Sequence, residues 1–162
     1  MRKVKVGIVG CGNISEIYLQ NLKNNFEIIE LVGCADLIQE RADAKAEKHG
    51  IKAYPNDNRC SAIYEDPEIE IIVNLTTPKD HVEVDLRALQ HGKHVHSEKP
   101  LGINRLEAKN VIDLAKEKGL MVGGAPDTFL GGGIQTCIKL INDGWIGTPV
   151  ATTAFMTCHG MK

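Results

Sequence analysis

No basic stripe interleaved with aromatics runs through this 162-residue chain, which is 4% aromatic and carries a formal net charge of −2. That excludes the electrostatic footprint of a nucleic-acid platform. No apolar run approaches the roughly 18 residues that a bilayer-spanning helix needs, so no membrane partner is expected. The amino terminus lacks the layout of a signal peptide and starts at once with strand-like sequence. Five cysteines (Cys11, Cys34, Cys60, Cys137, Cys158) include no Cys-x-x-Cys spacing. An odd, scattered set reads as free thiols in a reducing cytoplasm. Short-period repeats and low-complexity linkers are missing too. What remains is ordinary for a globular protein, 43% hydrophobic and 25% charged, and long enough for one sizeable core.

The first fifteen residues carry the strongest signal. Val4, Val6, Ile8 and Val9 make a β-branched strand that runs into Gly10-Cys11-Gly12-Asn13-Ile14-Ser15. A helix follows, with Ile14, Ile17, Tyr18 and Leu22 at helical spacing. This order builds a cradle for a dinucleotide pyrophosphate. Gly10 permits the tight turn, and Gly12 lets the backbone approach phosphate oxygens. A helix starting near Asn13 and Ile14 would aim its free N–H groups and positive dipole end at the anion. The third fingerprint position holds Ser15 in place of Gly or Ala, still small enough for close packing. A second strand, 28–35, ends in Asp36, close to the ~20-residue offset expected of the acid that grips an adenine ribose. Its carboxylate would repel a 2′-phosphate, which favours NAD over NADP. Arg41 opposes that preference, because a nearby guanidinium can accommodate the phosphate.

Strand and helix patterns alternate along the rest, the mark of a parallel sheet covered on both faces. The spacing predicts helices over 39–49, 60–65, 80–91 and 105–118, and strands over 52–54, 70–75, 94–97 and 120–123. That completes a dinucleotide-binding domain by about residue 125. Residues 126–162 read as a linking helix around Ile134–Ile141 and a first strand over 148–157, the start of a second, incomplete α+β domain. Such a strand is expected to be disordered or to pair with a second copy, making a homo-oligomer. His94 and His96 share a strand face, but no third ligand of matching spacing appears, so no metal is expected.

Two further motifs are more specific. Thr76-Thr77-Pro78-Lys79-Asp80-His81 and Gly92-Lys93-His94-Val95-His96-Ser97-Glu98-Lys99-Pro100 resemble the Gfo/Idh/MocA family of nicotinamide-dependent oxidoreductases. The order of glycine turn, acidic strand end, Thr-Pro loop and Glu-Lys-Pro matches that family. The resemblance implies a doubly wound Rossmann-type parallel sheet, NAD as cofactor, and a small sugar or polyol as substrate. It implies that Lys99 stands between nicotinamide and substrate as the catalytic cation. Glu98 would bond the nicotinamide ribose, and Thr76, Thr77 and Pro78 would lie beneath the adenosine and pyrophosphate. His81 would approach the nicotinamide side, or face solvent in a first helical turn. The peptide before Pro100 is often cis in the family.

In the family the second domain supplies an Asp and a His downstream of Lys162, and Asp127 and His159 do not match them. The expectation is therefore the cofactor half of a dehydrogenase. The alternatives are a non-catalytic NAD-binding module or redox-sensing partner subunit, and a doubly wound methyltransferase using a sulfonium nucleotide. The Asp36 offset and Glu98-Lys99-Pro100 argue against the methyltransferase.

Overall fold

The computed structural model describes residues 2–155 and 157. Contacts divide the chain into two units, Met1–Pro126 and Asp127–Lys162.

In the first unit the alternating pattern produces six strands: β1 (Val4–Val9), β2 (Ile29–Ala35), β3 (Lys52–Ala53), β4 (Ile71–Asn74), β5 (His94–Ser97) and β6 (Val122–Gly124). Between them run α1 (Ser15–Asn24), α2 (Gln39–His49), α3 (Ser61–Glu65), α4 (His81–Gln90) and α5 (Arg105–Lys118). All ladders are parallel, in the order β3-β2-β1-β4-β5-β6. Consecutive side chains of a strand point to opposite faces. Val6, Ile8, Cys34 and Val73 therefore pack with Leu19, Ala42 and Ala46, the buried positions of α1 and α2. Their neighbours Val9, Ala35, Ile72 and Val95 pack with Ile63, Ala88, Leu89, Val111 and Ala115 from α3, α4 and α5. The sheet is thus apolar on both faces, which explains strands that read as nearly continuous hydrophobic runs.

Local chemistry sets the helix ends. Asn104 caps α5 by accepting the Glu107 N–H, and Gly119 ends it in the left-handed region. Gly50 ends α2 in the same way. Strand order reverses between β1 and β4, and ligands of open α/β sheets collect at the carboxyl ends of strands at such a switch point.

The second unit holds a 3-10 turn (Thr128–Leu130) and α6 (Gly132–Asn142). The strand expected over 148–157 is not formed in its described part, and Val150 and Phe155 are largely exposed. Among the described residues no strand pairs with it. Met156, Cys158 and His159 lie outside the described residues.

Candidate functional site

Four loops meet at the carboxyl rim, each leaving a strand whose core packing fixes its exit. The first follows β1. Gly10 has φ +102, and its N–H bonds the Ala35 carbonyl at 2.9 Å. A Cβ there would lie 2.7 Å from the Leu75 carbonyl carbon and oxygen. The turn thus presses directly against the backbone leaving β4. Nothing lies within 4 Å of a Cβ built on Gly12. Gly12 is therefore free of any packing duty, and the space beside it is available to a ligand.

The helix begins at Ser15, two residues later than the pattern near Asn13 suggested. Gly12, Asn13 and Ile14 form a turn first, held by Ser15, whose N–H and hydroxyl both donate to the Gly12 carbonyl at 3.1 and 2.7 Å. Ser15 is fully buried. The departure from glycine at this fingerprint position thus adds a bond that sets the turn from below. No side chain caps α1, and the carboxylate in its first turn, Glu16, is taken up by Lys45 and Lys48. Asn13 and Ile14 stand exposed on the rim.

The second loop follows β2. Asp36 is 9% exposed, and its carboxylate accepts the Cys11 N–H at 2.7 Å and the Ile38 N–H at 2.8 Å. It binds the glycine turn to the end of β2, while each oxygen retains lone-pair capacity for another donor. Arg41 stands by the glycine turn: Cys11, Gly12, Asn13, Arg41 and Lys45 line one groove of about 620 Å³. Lys45 is paired with Glu16 at 2.5 Å, whereas Arg41 is exposed. Lys45, Lys48 and Gln20 together hold the Glu16 carboxyl well below its ordinary range.

The third and fourth loops follow β4 and β5. The Thr76 hydroxyl donates to Asn74 Oδ1 (2.6 Å), and the Thr77 hydroxyl to Asp80 Oδ2 (2.6 Å). Thr77 and Pro78 are exposed. Glu98 is held from two sides: Tyr18 of α1 donates to Oε1 at 2.7 Å, and the Lys99 N–H to Oε2 at 2.9 Å. Glu98 and Lys99 do not form a surface ion pair. The Lys99 ammonium is exposed and has no side-chain partner among the described residues. The Lys99–Pro100 peptide is cis.

His81 differs from both positions considered for it. It is neither solvent-facing nor on the open side of the loops. Its ring is 1% exposed, with Nδ1 2.6 Å from the Pro100 carbonyl oxygen and Nε2 3.0 Å from that of Thr76. Both ring nitrogens are spent on main chain, and none is left for a ligand. Below it lies a polar nest that sequence reasoning missed: Asn74, Asp85 and Ser97, all fully buried. Asn74 Nδ2 donates to Asp85 Oδ1 at 2.7 Å and to the His81 carbonyl at 2.9 Å. The Ser97 hydroxyl also bears on the Asp85 carboxyl. The signal available was a carboxylate at a core position of α4, one turn after His81. Tyr18 was read only as part of a helical apolar spacing. His94 Nδ1 accepts the Met121 N–H, and His96 lies against the Tyr18 ring. Among the described residues no group of three or more His, Cys, Asp or Glu is placed to hold a metal.

Burial pushes the Asp85 carboxyl up to about 6, against the opposing bond from Asn74. Its folded value exceeds the unfolded one, so the folded state holds this proton more tightly. The resulting stabilisation is complete below about pH 4 and lost as pH rises through about 6. Asp85→Asn is expected to remove that contribution, on the order of 2–3 kcal/mol. Urea unfolding of parent and variant at several pH values checks it. Their difference in stability should grow in that sense across the window, and a constant difference would contradict the assignment.

Comparison with known proteins agrees with this geometry. Residues 4–124 match the oxidoreductase family described as an NAD-binding Rossmann fold, Gfo/Idh/MocA. Inositol 2-dehydrogenase of Salmonella typhimurium is 30% identical over 116 residues, covering 72% of this chain and 34% of that enzyme. The fold is that of myo-inositol 2-dehydrogenase from Lactobacillus plantarum (TM-score 0.81, 19% identity, 90% of this chain and 43% of that one). KijD10, a 3-ketoreductase from Actinomadura kijaniata solved with NADP, superposes with a TM-score of 0.83 at 25% identity, over 90% of this chain and 46% of that one. The chain thus spans less than half the length of these relatives. No helix among the described residues is long and apolar enough to cross a membrane. With its glycine turn, its acidic strand end and its Glu-Lys-Pro loop on one rim of a 3-2-1-4-5-6 sheet, the chain belongs to the Gfo/Idh/MocA oxidoreductase family, and residues 4–124 form that family's nucleotide-binding Rossmann fold.

Proposed function

We propose that this chain holds NAD across the β1–β4 switch point and forms the cofactor-binding part of a cyclic-polyol dehydrogenase. The pyrophosphate lies over Gly12, Asn13 and Ile14, where Gly12 lacks a Cβ and no side chain caps the N-terminus of α1. Asp36 takes the adenosine ribose hydroxyls, with Arg41 at the edge of the same groove. Thr76, Thr77 and Pro78 floor the middle of the cofactor, and Glu98, fixed by Tyr18, takes the nicotinamide ribose. A nicotinamide held here would supply the hydride acceptor for a carbinol carbon. The exposed Lys99 ammonium would stabilise the negative charge developing on the carbinol oxygen, whose proton would pass to water. A cyclic polyol is chosen because the inositol dehydrogenases are relatives at up to 30% identity. The single observation carrying the reading is the pair of glycines: one locked against β4, the other open to a ligand. The four thiols among the described residues (Cys11, Cys34, Cys60, Cys137) are unpaired, which fits a reducing cytoplasm.

The preference for NAD over NADP rests on Asp36, whose two backbone bonds leave a fixed negative group where a 2′-phosphate would come. Calorimetric titration is expected to give at least about tenfold tighter binding of NAD. Asp36→Ala should narrow that ratio, because Arg41 then meets the phosphate unopposed. Equal affinities in the parent would overturn the preference. A second reading is a binding module without turnover. Nicotinamide reduction by this chain with NAD and an inositol would exclude it.

A further inference from the structure

His81 opens α4, on the same buried helix face as Asp85, Ala88 and Leu89. A carbonyl oxygen only accepts and a neutral ring carries one N–H, so the ring donates to one of its two carbonyl neighbours, Pro100 at 2.6 Å from Nδ1 or Thr76 at 3.0 Å from Nε2, and packs its other nitrogen against the second. One rigid ring therefore joins the main chain of the loop after β4 to that of the loop after β5. The ring's own placement is fixed from below. Asn74 holds the His81 carbonyl (2.9 Å) and Asp85 (2.7 Å) with its amide, and receives the Thr76 N–H (3.2 Å) and hydroxyl (2.6 Å) with its oxygen. The Lys99 side chain has no such anchor. Its direction is set by the main chain on which it stands, and the next residue along is the one His81 grips.

We propose that His81 is a positioning residue: by bridging Thr76 and Pro100 it fixes the separation of the two loops, and with it where Lys99 stands against the nicotinamide. The proposal rests on the NAD reading above. A core of equal volume could be filled by an apolar ring with no desolvation cost, so the two polar contacts mark a demand for register beyond mere filling. The adenosine side of the site is built separately, from Gly12, Asp36 and Arg41, none of which bonds His81. The consequence is a split between the two halves of the cofactor.

The test uses AMP, which keeps only the adenosine and one phosphate, beside NADH. His81→Phe fills the space without donors, and His81→Gln reaches only one carbonyl. In both, AMP affinity should stay within about twofold of the parent. NADH affinity should fall about tenfold, with loss of the fluorescence enhancement of the bound nicotinamide, and less so in the Gln variant. Equal weakening of both ligands in folded variants, or no change in either, would overturn the proposal. If neither variant folds, ring-nitrogen NMR of His81 in the parent decides. Its resonances should move on adding NADH and hold still on adding AMP, and unmoved resonances with NADH would sink the idea. A parent that fails to bind AMP and NADH alike defeats the NAD reading itself, a separate and recognisable result.

Discussion

A Gly12→Val variant is expected to unfold in urea at the parent's midpoint and to lose NAD affinity by about a hundredfold or more. The reasoning is local. Gly12 has no positive φ, and a Cβ at this position meets no atom within 4 Å. A branched side chain is therefore accommodated by the folded protein at little cost. The space it fills is the space through which a diphosphate must pass to reach the main-chain amides of the turn. Ser15 holds the Gly12 carbonyl from below with two bonds, so the turn cannot swing aside to make room. Binding and stability should separate cleanly, which a generic tight turn would not produce.

Two residues earlier the same substitution type should act in the opposite way. Gly10→Ala is expected to destabilise the fold by about 3 kcal/mol or more, through strain at positive φ and overpacking together. At φ +102 an L side chain is disfavoured, and its Cβ would stand 2.7 Å from the Leu75 carbonyl and 2.8 Å from the Thr76 nitrogen. These are backbone atoms of the chain leaving β4 and cannot rotate away. Relief requires β1 and β4 to part where the Leu75 N–H bonds the Val9 carbonyl. Thermal or urea unfolding checks it. A Gly10→Ala protein as stable as the parent would mean that the turn is looser than described.

The strands and their order of appearance could be read directly from the chain, because β1 and β4 are buried on both faces and advertise it as apolar runs. Glycines at helix ends, Gly50 and Gly119, punctuated the helices for the same local reason. Boundaries slipped where a side chain reshaped the backbone: the Ser15 hydroxyl turns back on Gly12 and delays α1. The residues that were missed have partners far away in sequence. Tyr18 meets Glu98, 80 positions on, only because α1 packs over the sheet beside β5. His81 was assigned to the ligand, yet the packing of α4 buries it behind the loops. Asn74, Asp85 and Ser97 come from two strands and a helix, and no spacing rule links them. The segment 148–157 has strand composition, but composition creates no partner, and its described part remains unpaired.

The most direct measurement is amide-resolved NMR of the parent during titration with NAD. The account predicts saturable shifts at Cys11–Ser15, Asp36, Thr76–Thr77 and Glu98–Lys99, the four loops of the carboxyl rim. Shifts confined instead to the groove at the opposite end of the sheet, lined by Lys3, Lys23, Asn24 and Phe26, or no saturable shift at all, would contradict it.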